Sequence, residues 1–155
     1  MDFDLIKNKI ENIFTHTGCT ISKCEISMDG RIIWCSIDTP DSRFMIGRDG
    51  ETLRSLNYLV RKMVEKVIPE EETSNIFIDV NGYHKKRFDN LKSIAHMMAE
   101  RARYFKSNIS VDPMPAQDRR IIHMFLEGEK DIKTESEGTG PERRVIIKYT
   151  EEVKL

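Results

Sequence analysis

Apolar residues recur along the chain with two different periods, and the changes of period mark its elements. Phe3, Ile6, Ile10, Ile13 and Phe14 stand at helical spacing and predict an amphipathic first helix. The period then shortens to two: Cys24, Ile26 and Met28 alternate with polar residues, as do Ile33, Cys35 and Ile37. Asp29-Gly30 between these runs predicts a hairpin whose alternating residues turn inward. Phe44, Met45 and Ile46 form a short helical turn ending at Gly47. A second helix is predicted from about Gly50 to Val67, with Leu53, Leu56, Val60, Met63, Val64 and Val67 on one side, followed by a strand over Asn75–Val80. The first half thus reads α-β-β-α-α-β.

Asn81-Gly82 punctuates the chain. A long helix follows, its apolar stripe predicted as Phe88, Leu91, Ala95, Met98, Ala102 and Phe105. A short strand near Ile109–Val111 leads to a helix with Pro115 in its first turn. Two strands, Ile132–Ser136 and Arg143–Tyr149, flank a turn at Gly138, Gly140 and Pro141. The second half reads α-β-α-β-β. The expected fold class is therefore α+β, in two small domains over 1–81 and 82–155 with almost no linker.

Charge changes this picture only when it is located. The formal total of −1 argues against a polyanionic partner if taken as an average. Yet from Tyr83 to Lys106 there are seven Lys or Arg against Asp89 and Glu100 alone, while acids gather in Pro69–Thr73 and Glu127–Glu137. The expectation is a zoned molecule, basic in one part and acidic in another. Cys19, Cys24 and Cys35 lack C-x-x-C spacing and read as free thiols, Cys24 and Cys35 buried. No apolar run approaches the length of a membrane span, which leads to the expectation of a cytoplasmic protein without membrane insertion.

The stretch Ile46-Gly47-Arg48-Asp49-Gly50 holds two glycines at G-x-x-G spacing between a short helix and a longer one. Backbone without side-chain bulk beside a helix start lets phosphate oxygens approach amide groups directly. Neither a P-loop nor a dinucleotide fingerprint is present. By itself the spacing is equally that of a turn connecting two helices. Asp49 either caps the following helix through its carboxylate or faces the phosphate path, where it would weaken binding.

A G-x-x-G that joins two helices inside an α-β-β-α-α-β unit resembles the type II KH domain. The resemblance implies that the loop clamps the backbone of about four single-stranded nucleotides while an adjoining apolar groove holds the bases. Gly47 and Gly50 would then permit close approach and Arg48 would supply charge. Ile46, Leu53 and the second strand would help to line the groove.

Arg119 and His123 stand four apart, so a helix stacks them on one side, along the border of a buried arc made by Ile121, Ile122, Phe125 and Leu126. Such a half-exposed pair suits a phosphate. It equally suits a surface Arg bonded to an acid and a His packed on a sheet edge. Together with Glu137, Gly138, Gly140, Pro141, Arg143 and Arg144, the pair resembles the R-three-H domain, a small α/β module of single-stranded nucleic-acid binding named for its Arg-x-x-x-His signature. The junction from Asp79 to Arg87 then resembles the bacterial Jag/KhpB family, in which a KH unit precedes an R-three-H unit.

That resemblance covers roughly Asp29 to Tyr149. It implies that Arg119 and His123 contact nucleic acid, with Arg143 and Arg144 supporting and Lys85, Lys86 and Arg87 extending the footprint. It implies single-stranded RNA, or single-stranded DNA, as the partner, and a KH-only protein of the KhpA type as a second one. It further implies post-transcriptional regulation linked to cell elongation and division, in a short form without the separate N-terminal domain of many Jag proteins.

Catalysis is the rival class. A nuclease would use His123 as general base with Asp118 or Glu127 nearby, and it would want a metal or a second His. His16, His84, His96 and His123 are scattered, and no carboxylates stand at ligand spacing. The expectation is a protein that is not an enzyme and needs neither cofactor nor metal. A protein-interaction adaptor built from the same two folds is the other alternative.

Overall fold

A computed structural model describes residues 2–69, 73 and 75–151. The acidic run Glu70–Glu72 lies outside the described residues. The chain divides at Lys85/Lys86 into two compact units, each built from helices on a three-stranded sheet.

In the first unit, helix α1 (Phe3–Thr17) starts where the Asp2 carboxylate accepts the Leu5 N–H at 3.1 Å, and ends at Gly18 in the left-handed conformation. Strand β1 (Lys23–Asp29) pairs antiparallel with β2 (Ile32–Asp38), and β3 (Ile76–Val80) lies parallel to β2 on its other side. Between them come α2 (Ser42–Ile46), a single 3₁₀ turn (Arg48–Gly50) and α3 (Glu51–Val64). Ile6, Ile10 and Phe14 of α1 share one core with Ile33, Cys35 and Ile37 of β2 and Leu53, Val60 and Val64 of α3.

Central strand β2 is buried on both faces, because Trp34 packs edge-on against His84 and lies 5.7 Å from the Phe77 ring. Helix α3 also covers the outer edge of β3. The Asn57 amide oxygen accepts the Ile78 N–H at 2.8 Å, and Arg61 Nε donates to the Ile76 carbonyl at 3.0 Å. Two residues one helical turn apart thereby answer backbone groups that an edge strand would leave open.

Helix α4 (Tyr83–Phe105) begins on a cap from the preceding strand: Asp79 Oδ1 accepts the amides of His84 at 2.8 Å and Lys85 at 3.1 Å. In the second unit α4 is joined by β4 (Ile109–Ser110), α5 (Ala116–Leu126), β5 (Ile132–Glu137) and β6 (Arg144–Tyr149). The sheet order is β4-β6-β5, antiparallel throughout. Phe88, Leu91, Ala95, Ala99 and Ala102 of α4 are buried, as are Ile121 and Ile122 of α5 and Val145 and Ile147 of β6. Arg103 forks onto Asp131 (Nε to Oδ2 2.7 Å, a terminal nitrogen to Oδ1 2.9 Å) and also reaches Glu100 and Glu129.

The mixed α+β class and the order of elements agree with the sequence reading. Several side-chain expectations do not. Met28 is exposed although it shares a face with Cys24 and Ile26, because the core covers the edge strand β1 only as far as Ile26. Helix α3 stops at Val64, which leaves Val67 exposed and turns Ile68 inward instead. Phe105 is 62% exposed at the end of α4, and in the stripe Ala99 is buried where the adjacent Met98 is only half-buried.

Candidate nucleic-acid interface

Two separate sets of residues hold the groups singled out above, one in each unit. In the first unit the backbone turns from α2 into α3 through three residues of positive φ, with Arg48 between the first and the second. Gly47 has φ 72° and ψ −173°, Asp49 φ 49° and Gly50 φ 75°. The first is a region that glycine alone occupies at low cost. The Thr52 hydroxyl also fills the space that a side chain at 47 would need, and the Tyr83 ring crowds position 50. Both glycines are therefore demanded by the turn itself.

Asp49 does not cap the next helix. Gly50 holds the N-cap position, and α3 starts without a side-chain cap among the described residues. The left-handed conformation at 49 instead turns its carbonyl outward to accept Arg54 Nη1 at 2.8 Å. Arg48 and Asp49 are exposed, and Arg48 forms no ion pair among the described residues. Ile46 packs partly against the core, whereas Leu53 and the inward residues of β2 are inside it. They do not line an open groove, because α3 and β2 bury them in the core.

In the second unit, Arg119 and His123 lie together on α5, both half-buried. Arg119 Nε donates to the Met114 carbonyl at 3.2 Å, and Arg119 forms no ion pair among the described residues. The His123 ring is fixed by two hydroxyls of β5: Nδ1 lies 2.6 Å from Thr134 Oγ1 and Nε2 2.9 Å from Ser136 Oγ. Burial, and then the Arg119 charge beside it, push the His123 pKa below its ordinary value, so the ring is favoured neutral. Sequence reading missed Thr134 and Ser136. Their signal was spacing two apart on a strand, which aims both hydroxyls at one face.

The remaining candidate cations divide by partner. Arg143 Nη1 donates to the Gly138 carbonyl at 3.1 Å and stays exposed. Arg144 pairs with Glu142 at 3.2 Å. Lys85 donates to Ser36 Oγ at 3.0 Å and sits 5.6 Å over the Trp34 ring, whereas Lys86 is exposed. Arg87 is bound to the buried Asp118 carboxylate at 2.7 Å. That pairing removes Asp118 from the role of partner to His123. Among the described residues no three His, Cys, Asp or Glu side chains cluster as a metal site would require, and no helix is long and apolar enough to cross a membrane.

Comparison with known proteins places these features in context. The family model of the R-three-H domain matches residues 89–149, which include Arg119, His123, Arg143 and Arg144. The RNA-binding protein KhpB of Clostridium symbiosum is 35% identical over 112 residues, 72% of this chain and 50% of its own length. KhpB of Bacillus subtilis (strain 168) is 32% identical over 107 residues, 68% of this chain and 50% of its own. KhpB of Lactiplantibacillus plantarum is 27% identical over 123 residues, 79% of this chain and 38% of its own. The chain spans half or less of the length of these relatives.

Proposed function

The chain belongs to the Jag/KhpB family, and from that premise we propose that it binds single-stranded RNA without catalysing a reaction on it. One observation carries the reading. Arg119 is a half-buried guanidinium that forms no ion pair among the described residues, whereas Arg87 and Arg144 of the same unit are paired. A cation without an acidic partner, one helical turn from a His held by two hydroxyls, is suited to a phosphate.

Residues 1–81 are assigned to a type II KH domain and 82–155 to the R-three-H domain, supported by the order of elements. In this reading the loop Gly47–Gly50 takes one stretch of RNA backbone and Arg119 with its surroundings takes another. Two weak sites on one chain raise the effective concentration of RNA at the second once the first is filled. Post-transcriptional regulation of bacterial cell elongation and division, a cytoplasmic location and a KH-only partner of the KhpA type follow from resemblance to the family. The exposed Asp49 carboxylate, which caps nothing, favours the second reading, an adaptor that binds proteins through the same two folds.

Titrating short single- and double-stranded RNA and DNA with the full chain at several salt concentrations separates these readings. Salt-dependent binding that prefers single-stranded RNA, with the RNA recovered intact, is the expected result. An adaptor would leave all four nucleic acids unbound. Cleavage that persists through repurification and is lost in His123→Ala would overturn the non-catalytic assignment.

A further inference from the structure

The two hydroxyls that hold His123 cannot make the same kind of hydrogen bond. A neutral imidazole has one N–H donor and one bare nitrogen, so one hydroxyl receives a proton from the ring and the other gives one to it. The distances distinguish them. Hydrogen bonds given by hydroxyls to oxygen run at about 2.7–2.8 Å, shorter than the about 2.9–3.0 Å of N–H donors to oxygen. Thr134 Oγ1 lies 2.6 Å from Nδ1 and Ser136 Oγ lies 2.9 Å from Nε2. The shorter contact suits a hydroxyl donor, so the arrangement proposed below has Thr134 donating its O–H to Nδ1 and the Nε2–H donating to Ser136.

The consequence falls on Ser136. In that arrangement the Thr134 proton turns in toward the ring, while the Ser136 proton is free to point away from it. Ser136 pairs with Val145 on β6, two residues before the Gly138 turn whose carbonyl holds Arg143. Arg119 is near enough to the ring to disfavour its protonation.

We propose that the Ser136 hydroxyl and the Arg119 guanidinium are direct ligands of an RNA phosphodiester, and that His123 is a positioning residue that holds the Ser136 hydroxyl by receiving Thr134. The proposal rests on the RNA-binding reading and adds to it the atoms that touch the ligand. It moves His123 from ligand to support, since both its nitrogens are already engaged within the protein.

Long-range nitrogen–proton NMR spectra of the full chain identify the ring tautomer, and fluorescence anisotropy with a labelled single-stranded oligoribonucleotide measures affinity. The expected results are an Nε2–H ring at His123 and a roughly tenfold or greater loss of affinity in Ser136→Ala, the scale of one hydrogen bond to a charged group. Ser136→Thr, which keeps the hydroxyl, should retain most of the affinity. Should Ser136→Ala not fold, Ser136→Cys takes its place, with similar size and a far weaker donor. An Nδ1–H ring, or a folded Ser136→Ala that binds like wild type, overturns the proposal. A wild-type chain that binds no RNA overturns the functional reading, and the ligand proposed here with it.

Discussion

The hydroxyl of Thr52 occupies the space that any side chain at Gly47 would have to enter. Gly47 is therefore held as glycine by its own helix start, whatever else approaches the loop. A change to Ala or Asp there disturbs the turn first and any ligand second. Gly47→Ala is expected to lower stability by about 1–3 kcal/mol or more, the cost of forcing a side chain into a glycine-only conformation. Gly18→Ala makes the comparison: its φ is also positive, but nothing lies within 4 Å of the added carbon. Denaturant unfolding should rank Gly47→Ala clearly below Gly18→Ala; equal stabilities would remove the steric argument.

Arg48 gives a cleaner probe of the same loop than its glycines do. It is exposed and forms no ion pair among the described residues. Arg48→Glu should leave the unfolding transition unmoved and weaken RNA binding. The slope of log affinity against log salt should fall in magnitude by about 0.7, the loss of one phosphate contact on a single strand. Unchanged affinity would exclude the loop from the RNA path.

The fold was more legible than the positions of its individual side chains, for identifiable reasons. The helical period is strong where one face is buried, as in α1 with Ile6, Ile10 and Phe14 inside. Periods misled at ends and edges: Met28 keeps the inward phase of a strand that has nothing over its end, and Phe105 keeps the phase of a helix that has already run past its core. Trp34 was passed over because a strand buried on both faces shows no alternation to break. At the candidate site, G-x-x-G and Arg-x-x-x-His were visible as motifs. What each side chain bonds was not. Asp49 was weighed as a cap, but a residue in the left-handed region one position too early cannot serve as one. The hydroxyl clamp on His123 required the register of β5 against α5, which no local pattern contains.

His123 should make the fold sensitive to mild acid. Its pKa is lowered in the folded chain from an ordinary value of 6.5, by burial first and by Arg119 second. Below about that pH the unfolded chain takes up a proton that the folded chain resists, so stability is fully present above it and falls as pH descends toward the lowered value. In His123→Gln this component is absent. The stability difference between wild type and variant should therefore shrink as pH falls from about 8 to about 5. Arg119→Ala should raise the His123 pKa, read from its ring protons. A difference that grows in acid would show that the charged ring is the favoured form.

The three thiols offer a readout of the first unit alone. Burial pushes Cys35 up to about 12, with Cys24 contributing second, and burial raises Cys24 as well. The thiolate is the reactive form, so a buried thiol with a raised pKa reacts through opening of the structure. A maleimide or disulfide reagent should label half-buried Cys19 first and Cys35 last, with mass spectrometry following each. Denaturant below the unfolding midpoint should accelerate Cys35 more than Cys19. Simultaneous labelling of all three would contradict the core placed between α1 and β2.

Counting available cations sets the scale of the whole interaction with RNA. Lys85, Arg87, Arg103 and Arg144 are already engaged with Ser36, Asp118, Asp131 and Glu142. Arg48, Lys86, Arg119 and Arg143 form no ion pair among the described residues. If these four meet phosphates, log affinity should fall against log salt with a slope of about −3, from about 0.7 per contact on a single strand. Freeing a paired cation should steepen it: Glu142→Gln releases Arg144 and is expected to add up to about 0.7 to the magnitude of the slope and to tighten binding at low salt. A slope near zero in wild type, or one that Glu142→Gln leaves flat, would mean that these guanidinium groups serve the protein surface and not a polyanion.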